Sequence, residues 1–122
     1  MVKSTYKQAA DLFHLLAHPA RLRILDELRR AQACVCHLQT VLRRPQAYVS
    51  QQLRVLREAE VVSAEREGLN VYYRISNAQV LHLLHQALGS GGEPTRLPHC
   101  PCPYCQAKYE QAAAPLERST AV

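Results

Sequence analysis

At 122 residues the chain can build one domain around a single apolar core, which leaves little room for an enzyme with its own substrate cleft. Fifteen Lys and Arg against ten Asp and Glu give a formal charge of +5, a balance that favours a polyanionic partner. No stretch of about 18 apolar residues and no cleavable leader occurs, so the sequence predicts a cytoplasmic protein with no membrane partner, whose five cysteines are metal ligands or redox-active thiols rather than a disulfide framework.

From Tyr6 to Ala17, the residues Ala9, Leu12, Phe13 and Leu16 recur at helical spacing, and His18-Pro19 ends the run because the residue before proline avoids the helical region. Pro19 suits the first turn of a second helix running to about Arg30, with Leu22, Leu25 and Leu28 as its stripe and Arg21, Arg23, Arg29 and Arg30 polar. Val35, Leu38, Val41 and Leu42 mark a short third helix that stops at Arg44-Pro45. A fourth opens at Pro45-Gln46, with Val49, Leu53 and Leu56 inward and a polar, basic outer face. Two helices joined by a tight turn, the second polar and basic on its free side, predict a helix-turn-helix.

Residues 61–66 and 71–75 flank a turn at 67–70 and are β-branched or aromatic with alternating faces, which predicts a β-hairpin. Ser76-Asn77 then caps a last helix whose stripe is Val80, Leu81, Leu84 and Leu88, ended by Gly89-Ser90-Gly91-Gly92. The fold class expected is mainly α with a β-hairpin wing, a dimeric winged helix-turn-helix over residues 1–90. Residues 91–122 form a cysteine- and proline-containing tail, extended through its prolines and with helix formers from Tyr104 to Ala114.

Three stretches resemble the ArsR/SmtB family of bacterial metal-responsive repressors. They are His18-Pro19-Ala20-Arg21-Leu22-Arg23-Ile24-Leu25, the segment from Gln46 to Ala59, and Arg66-Glu67-Gly68 with Val71-Tyr72-Tyr73-Arg74-Ile75. The resemblance implies a homodimer that binds double-stranded operator DNA and releases it when an inducer binds. Cys34-Val35-Cys36-His37-Leu38 falls where the family's arsenic, cadmium and lead sensors carry Cys-Val-Cys-Asp-Leu. The chain departs from that pattern at His37 (for Asp), Gln39 (for a third cysteine of some arsenic sensors), Gln52 (for His) and Glu60 (for Gly). The family's zinc ligands on the last helix correspond to Asn77, Gln79, Ser90 and Glu93, so that zinc site is expected to be absent.

Cys34 and Cys36 would stand about 200° apart on a regular helix and could not clamp one ion from its middle. At a frayed first turn the restriction relaxes, and the helix dipole and free N–H groups favour thiolates. Two thiolates leave an ion under-coordinated, and Cys100, Cys102 and Cys105 lie beyond a glycine linker, so soft three-sulfur capture of As(III), Cd(II) or Pb(II) is the expectation. The alternatives are a redox or reactive-sulfur sensor on the same thiols, a structural Zn(II) or an iron–sulfur cluster, and a thiol-disulfide oxidoreductase through Cys102-Pro103-Tyr104-Cys105, which copies the glutaredoxin tetrapeptide without its βαβ context. His82 and His85 are expected at a dimer interface or in solvent rather than on a metal. For DNA, Gln46, Tyr48, Ser50, Gln51 and Arg54 form the reading face and Arg66 and Arg74 the wing contacts, since Gln and Arg read base edges while Ser and Tyr hold phosphates.

Overall fold

The computed structural model describes residues 2–92, with side chains from Thr5 onward. Five helices and three strands follow one another: α1 Val2–Leu16, α2 Pro19–Leu28, β1 Ala33–Cys34, α3 Val35–Leu42, α4 Gln46–Glu58, β2 Val62–Glu67, β3 Asn70–Ile75 and α5 Ala78–Leu88. The sheet is antiparallel in the order β1-β3-β2. The predicted helix-turn-helix is α3 and α4, and the predicted wing is the β2–β3 hairpin, so the fold is a winged helix-turn-helix. The tail from residue 93, with Cys100, Cys102, Cys105 and the predicted 104–114 helix, lies outside the described residues.

Prolines set the helix starts. Pro19 occupies the first turn of α2, where a missing N–H costs nothing, and Pro45 precedes α4 in extended backbone. Asn77 caps α5 through its side-chain oxygen, which accepts from the N–H groups of Gln79 at 2.9 Å and Val80 at 3.2 Å. The core is the inner face of each helix: Ile24, Leu25 and Leu28 of α2, Leu38 of α3, Val49, Leu53 and Leu56 of α4, and Val80 and Leu84 of α5, with Val61 and Val62 at the foot of the wing. Each α4 core position sits three or four residues from the next, so the opposite face stays wet and available.

Two predicted stripes divide. Leu81 and Leu88 of α5 and Phe13 of α1 are exposed, as is Tyr6, while Leu16, Val80 and Leu84 are buried. Within this subunit α1 and α5 therefore each present an uncovered apolar face. His82 and His85 are also exposed.

Helix α4 ends in a Schellman motif. Glu60 takes φ +61°, its N–H bonds Arg57 O at 2.9 Å, and the Val61 N–H bonds Leu56 O at 3.0 Å. The motif turns the chain from the recognition helix into the wing, but it does so with a glutamate in the left-handed region that glycine occupies without strain. Glu60→Gly is expected to raise stability by about 0.5–1 kcal/mol. A higher urea midpoint at constant m value would show it; an unchanged or lower midpoint would mean that Glu60 is relaxed there.

Candidate functional site

Cys34 is not helical. It has φ −89° and ψ 171°, closes the short strand β1 and stands at the N-cap of α3, while Cys36 lies in the first helical turn. Because one residue of the pair is extended and the other helical, the opposed geometry of a regular helix does not apply, and the two sulfurs lie 2.7 Å apart. Cys34 is buried and Cys36 half-buried. The same residue that caps α3 also pairs with the wing: Ala33 lies opposite Tyr73 and Cys34 opposite Tyr72, itself buried. One cysteine therefore belongs to the sheet and the other to the first helix of the DNA reader. Among the described residues no group of three or more His, Cys, Asp or Glu side chains is placed to hold a metal ion.

Next to the thiols is a polar cluster that sequence reasoning missed. Glu27, only 3% exposed, is the buried charged residue of the described core. Its Oε1 lies 3.1 Å from Nε2 of His37, one residue beyond Cys36, and its Oε2 3.9 Å from Nη1 of Arg30. Arg30 Nη2 reaches Asp26 at 3.0 Å, Asp26 also holds Arg29 at 2.7 Å, and Arg29 Nη1 donates to the carbonyl of Gly89 at the end of α5. The signal was present: Ile24, Glu27 and Leu28 share one face of α2, and an acid on an apolar face needs partners.

The predicted reading face is exposed at Gln46, Ser50, Gln51 and Arg54, and half-buried at Tyr48, whose ring carries the Arg44 guanidinium 5.0 Å from its centroid. Arg54 bonds Glu58 one turn on at 3.2 Å, both in solvent, so this weak pair holds the guanidinium without burying it. Arg66 and Arg74 are exposed on the wing, and Arg74 Nε donates to Ser63 Oγ at 3.3 Å. Between α4 and the wing lies an open cleft of about 510 Å³ lined by Ser50, Arg54, Arg57, Glu58 and Tyr73. Arg57 and Tyr73 thus join the predicted surface by position.

Arg21 fixes this helix to its neighbours. Its Nε donates to Gln52 Oε1 of α4 at 2.9 Å and its Nη1 to the Leu15 carbonyl of α1 at 3.1 Å, so one side chain joins three helices. Gln52 is thereby engaged inside the protein rather than offered to a ligand. Arg21→Met, which keeps the stem and removes both bonds, should cost about 1.5–3 kcal/mol in urea unfolding; a loss below half a kcal/mol would show that the three helices hold without it.

A model of the bacterial regulatory proteins of the arsR family matches residues 18–64. A transcriptional repressor SmtB homolog of Synechocystis is 39% identical over 80 residues, covering 66% of this chain and 61% of that protein. The HTH-type transcriptional regulator NmtR of Mycobacterium tuberculosis is 37% identical over 81 residues, 66% of this chain and 68% of that one. Among solved structures, a homodimeric winged helix-turn-helix DNA-binding domain, Mb0332 of Mycobacterium bovis, is 30% identical at a TM-score of 0.64, covering 70% of this chain and 79% of the other. The family model ends at residue 64, ahead of the tail cysteines, and the chain spans only about three fifths of its SmtB-like relative.

Proposed function

We propose, from the premise that this chain belongs to the ArsR/SmtB family of winged-helix transcriptional regulators, that it is a homodimeric repressor whose Cys34 and Cys36, with cysteines of the tail, bind a soft metal or metalloid and so lower its affinity for operator DNA. It is a regulator and not an enzyme. The observation that carries the reading is the 2.7 Å sulfur pair at the junction of the wing and α3.

The donor set suits a soft ion. Sulfur ligands are polarisable, and a bound As(III), Cd(II) or Pb(II) would supply one Lewis-acidic centre for the two cysteines to share. Cys34 and Cys36 would hold such an ion between them, and its capture would reset the spacing of the two sulfurs. Cys34 is held by β3 and Cys36 by α3, so a change in that spacing would move the first helix of the reader against the wing. Helix α4 packs on α3, with Leu38, Val49 and Leu53 in one core cluster, and would follow it. Gln46, Tyr48, Ser50, Gln51 and Arg54 then lose register with the major groove while Arg66 and Arg74 stay with the wing. Cys100, Cys102 and Cys105 supply the ligand that the described residues lack; a structural Zn(II) on the same tail cysteines is the variant of this reading in which they do not.

Dimerisation through the apolar faces of α1 and α5 accords with the homodimeric relative and with the exposure of Tyr6, Phe13, Leu81 and Leu88. No helix of the described residues is long and apolar enough to cross a membrane, and the cytoplasm is where such a repressor meets DNA. A second reading rests on the same distance. Sulfurs in direct contact are placed to form a disulfide, with two protons and two electrons passing from the thiols to a peroxide that leaves as water. The oxidoreductase alternative has less support, because the described sheet is wholly antiparallel and offers no βαβ unit.

Titrating reduced protein on its operator with arsenite, Cd(II), Pb(II), Zn(II) and peroxide tests the proposal. Release by one soft ion that persists in excess reductant, and its loss in Cys34→Ser and Cys36→Ser, are the expected results. Release by peroxide alone, reversed by dithiothreitol, would replace the metal by the redox reading. In the same assay Arg54→Ala should weaken operator binding by roughly 1–3 kcal/mol; an affinity equal to the parent's removes Arg54 from the contacts.

A further inference from the structure

Helix α4 and the wing approach each other without closing, and the open cleft between them is lined by Ser50, Arg54, Arg57, Glu58 and Tyr73. Tyr73 stands in the central strand, opposite Ala33 on one side and Ala64 on the other, so two small neighbours leave room for its half-buried ring to reach the cleft. Alternation along β2 puts Arg66 on the same face of the hairpin as Ala64 and Tyr73, nearer the tip. Glu58 is the one acid among the lining residues, and Arg54 already holds it at 3.2 Å. Arg57 has no ion-pair partner among the described residues, and the Tyr73 hydroxyl has no hydrogen-bond partner there. Two arginines against one glutamate leave a single positive charge beside two hydroxyls. Such a set suits a singly charged oxyanion with several acceptor oxygens, which is what a phosphodiester offers.

A duplex brings that group to this place. With a helix in the major groove and a hairpin in the adjacent minor groove, the sugar–phosphate ridge that divides the two grooves has to pass between them. We propose that the cleft between α4 and the wing seats one backbone phosphate of bound double-stranded DNA, held by Arg57 and by the hydroxyls of Ser50 and Tyr73. The proposal rests on the DNA-binding reading above and adds to it a contact that carries no base information and sets how helix and wing straddle the ridge. The seat is also joined to the thiol pair through one strand: the β3 segment that carries Tyr73 is paired with Ala33 and Cys34. A shift of β1 against β3 would therefore reach the phosphate without passing through α3.

The probe is a duplex that the full-length protein itself selects from random-sequence DNA, with a scrambled duplex of equal length beside it. Arg57→Gln should weaken binding to both by the same factor, about five- to tenfold at 0.1 M salt, and lower the slope of log K against log salt by about 1. Tyr73→Phe keeps the ring and removes the hydroxyl; it should cost roughly three- to tenfold with the slope unchanged. Single methylphosphonates, each of which removes one phosphate charge, locate the seat along the selected duplex. At the seated position the unsubstituted protein loses affinity and Arg57→Gln loses nothing further. Losses that add to that of Arg57→Gln at every position, or an unchanged salt slope, would overturn the phosphate seat and leave the DNA-binding reading standing. A loss confined to the selected duplex would overturn it too, by making Arg57 a reader of bases. If the unsubstituted protein enriches no duplex at all, the reading and the proposal fall together. Arg57 is exposed, so its variant carries the test alone should Tyr73→Phe lower the urea midpoint.

Discussion

A carboxylate kept from water must be neutralised and hydrogen-bonded where it stands, and Glu27 meets that demand by drawing three parts of the chain to one point. His37 brings the start of α3, Arg30 brings the end of α2, and through Asp26 and Arg29 the network reaches the carbonyl that closes α5. Apolar packing alone would let these elements slide by a rotamer without much loss. Directional contacts to a buried charge do not, so the thiol pair, the reader and the end of the last helix hold a fixed relation.

The second constraint is the double membership of the Ala33–Cys34 dipeptide. Its backbone completes the sheet against Tyr72 and Tyr73, and its last residue is the N-cap of α3. The hairpin and the helix-turn-helix, which have to engage DNA together, are thus joined by two residues of strand as well as by the turn after α4. The chemical event proposed at Cys34 and Cys36 would act where the helix-turn-helix and the wing meet, with little further transmission needed. Arg21, bonded to α1 and α4 at once, extends the same rigidity towards the apolar helix faces.

Most of the architecture was legible because it is periodic. The α4 pattern of Val49, Leu53 and Leu56, the prolines at 19 and 45 and the alternation in the wing each carry a local signal that tertiary contacts agree with. What escaped has no local signature. Strand β1 is two residues long and is defined only by partners some forty positions away. Reading Cys34 as part of a frayed helical turn came close for the same reason: its extended backbone is imposed by β3. The Glu27–His37 pair spans two helices whose relative register no periodicity reports. The stripe on α5 was right in outline, but Leu81 and Leu88 turn away from the core that Val80 and Leu84 enter. Of the proposed sulfur ligands, Cys34 and Cys36 are brought together, while Cys100, Cys102 and Cys105 lie outside the described residues.

The strand order has one more effect. With β3 in the centre and β1 covering its far side over only two residues, β2 is left as an edge with open backbone donors and acceptors. Such an edge invites a neighbouring strand, and regulators crowded on one stretch of DNA would be prone to zip together wing to wing. The exposed end of β2 reads Glu65-Arg66-Glu67, so any parallel or antiparallel neighbour would bring charge onto charge and strip it of water. Arg66, the wing arginine proposed to face DNA, is flanked by acids that keep the hairpin solitary, so on that proposal solubility and recognition share the same three residues.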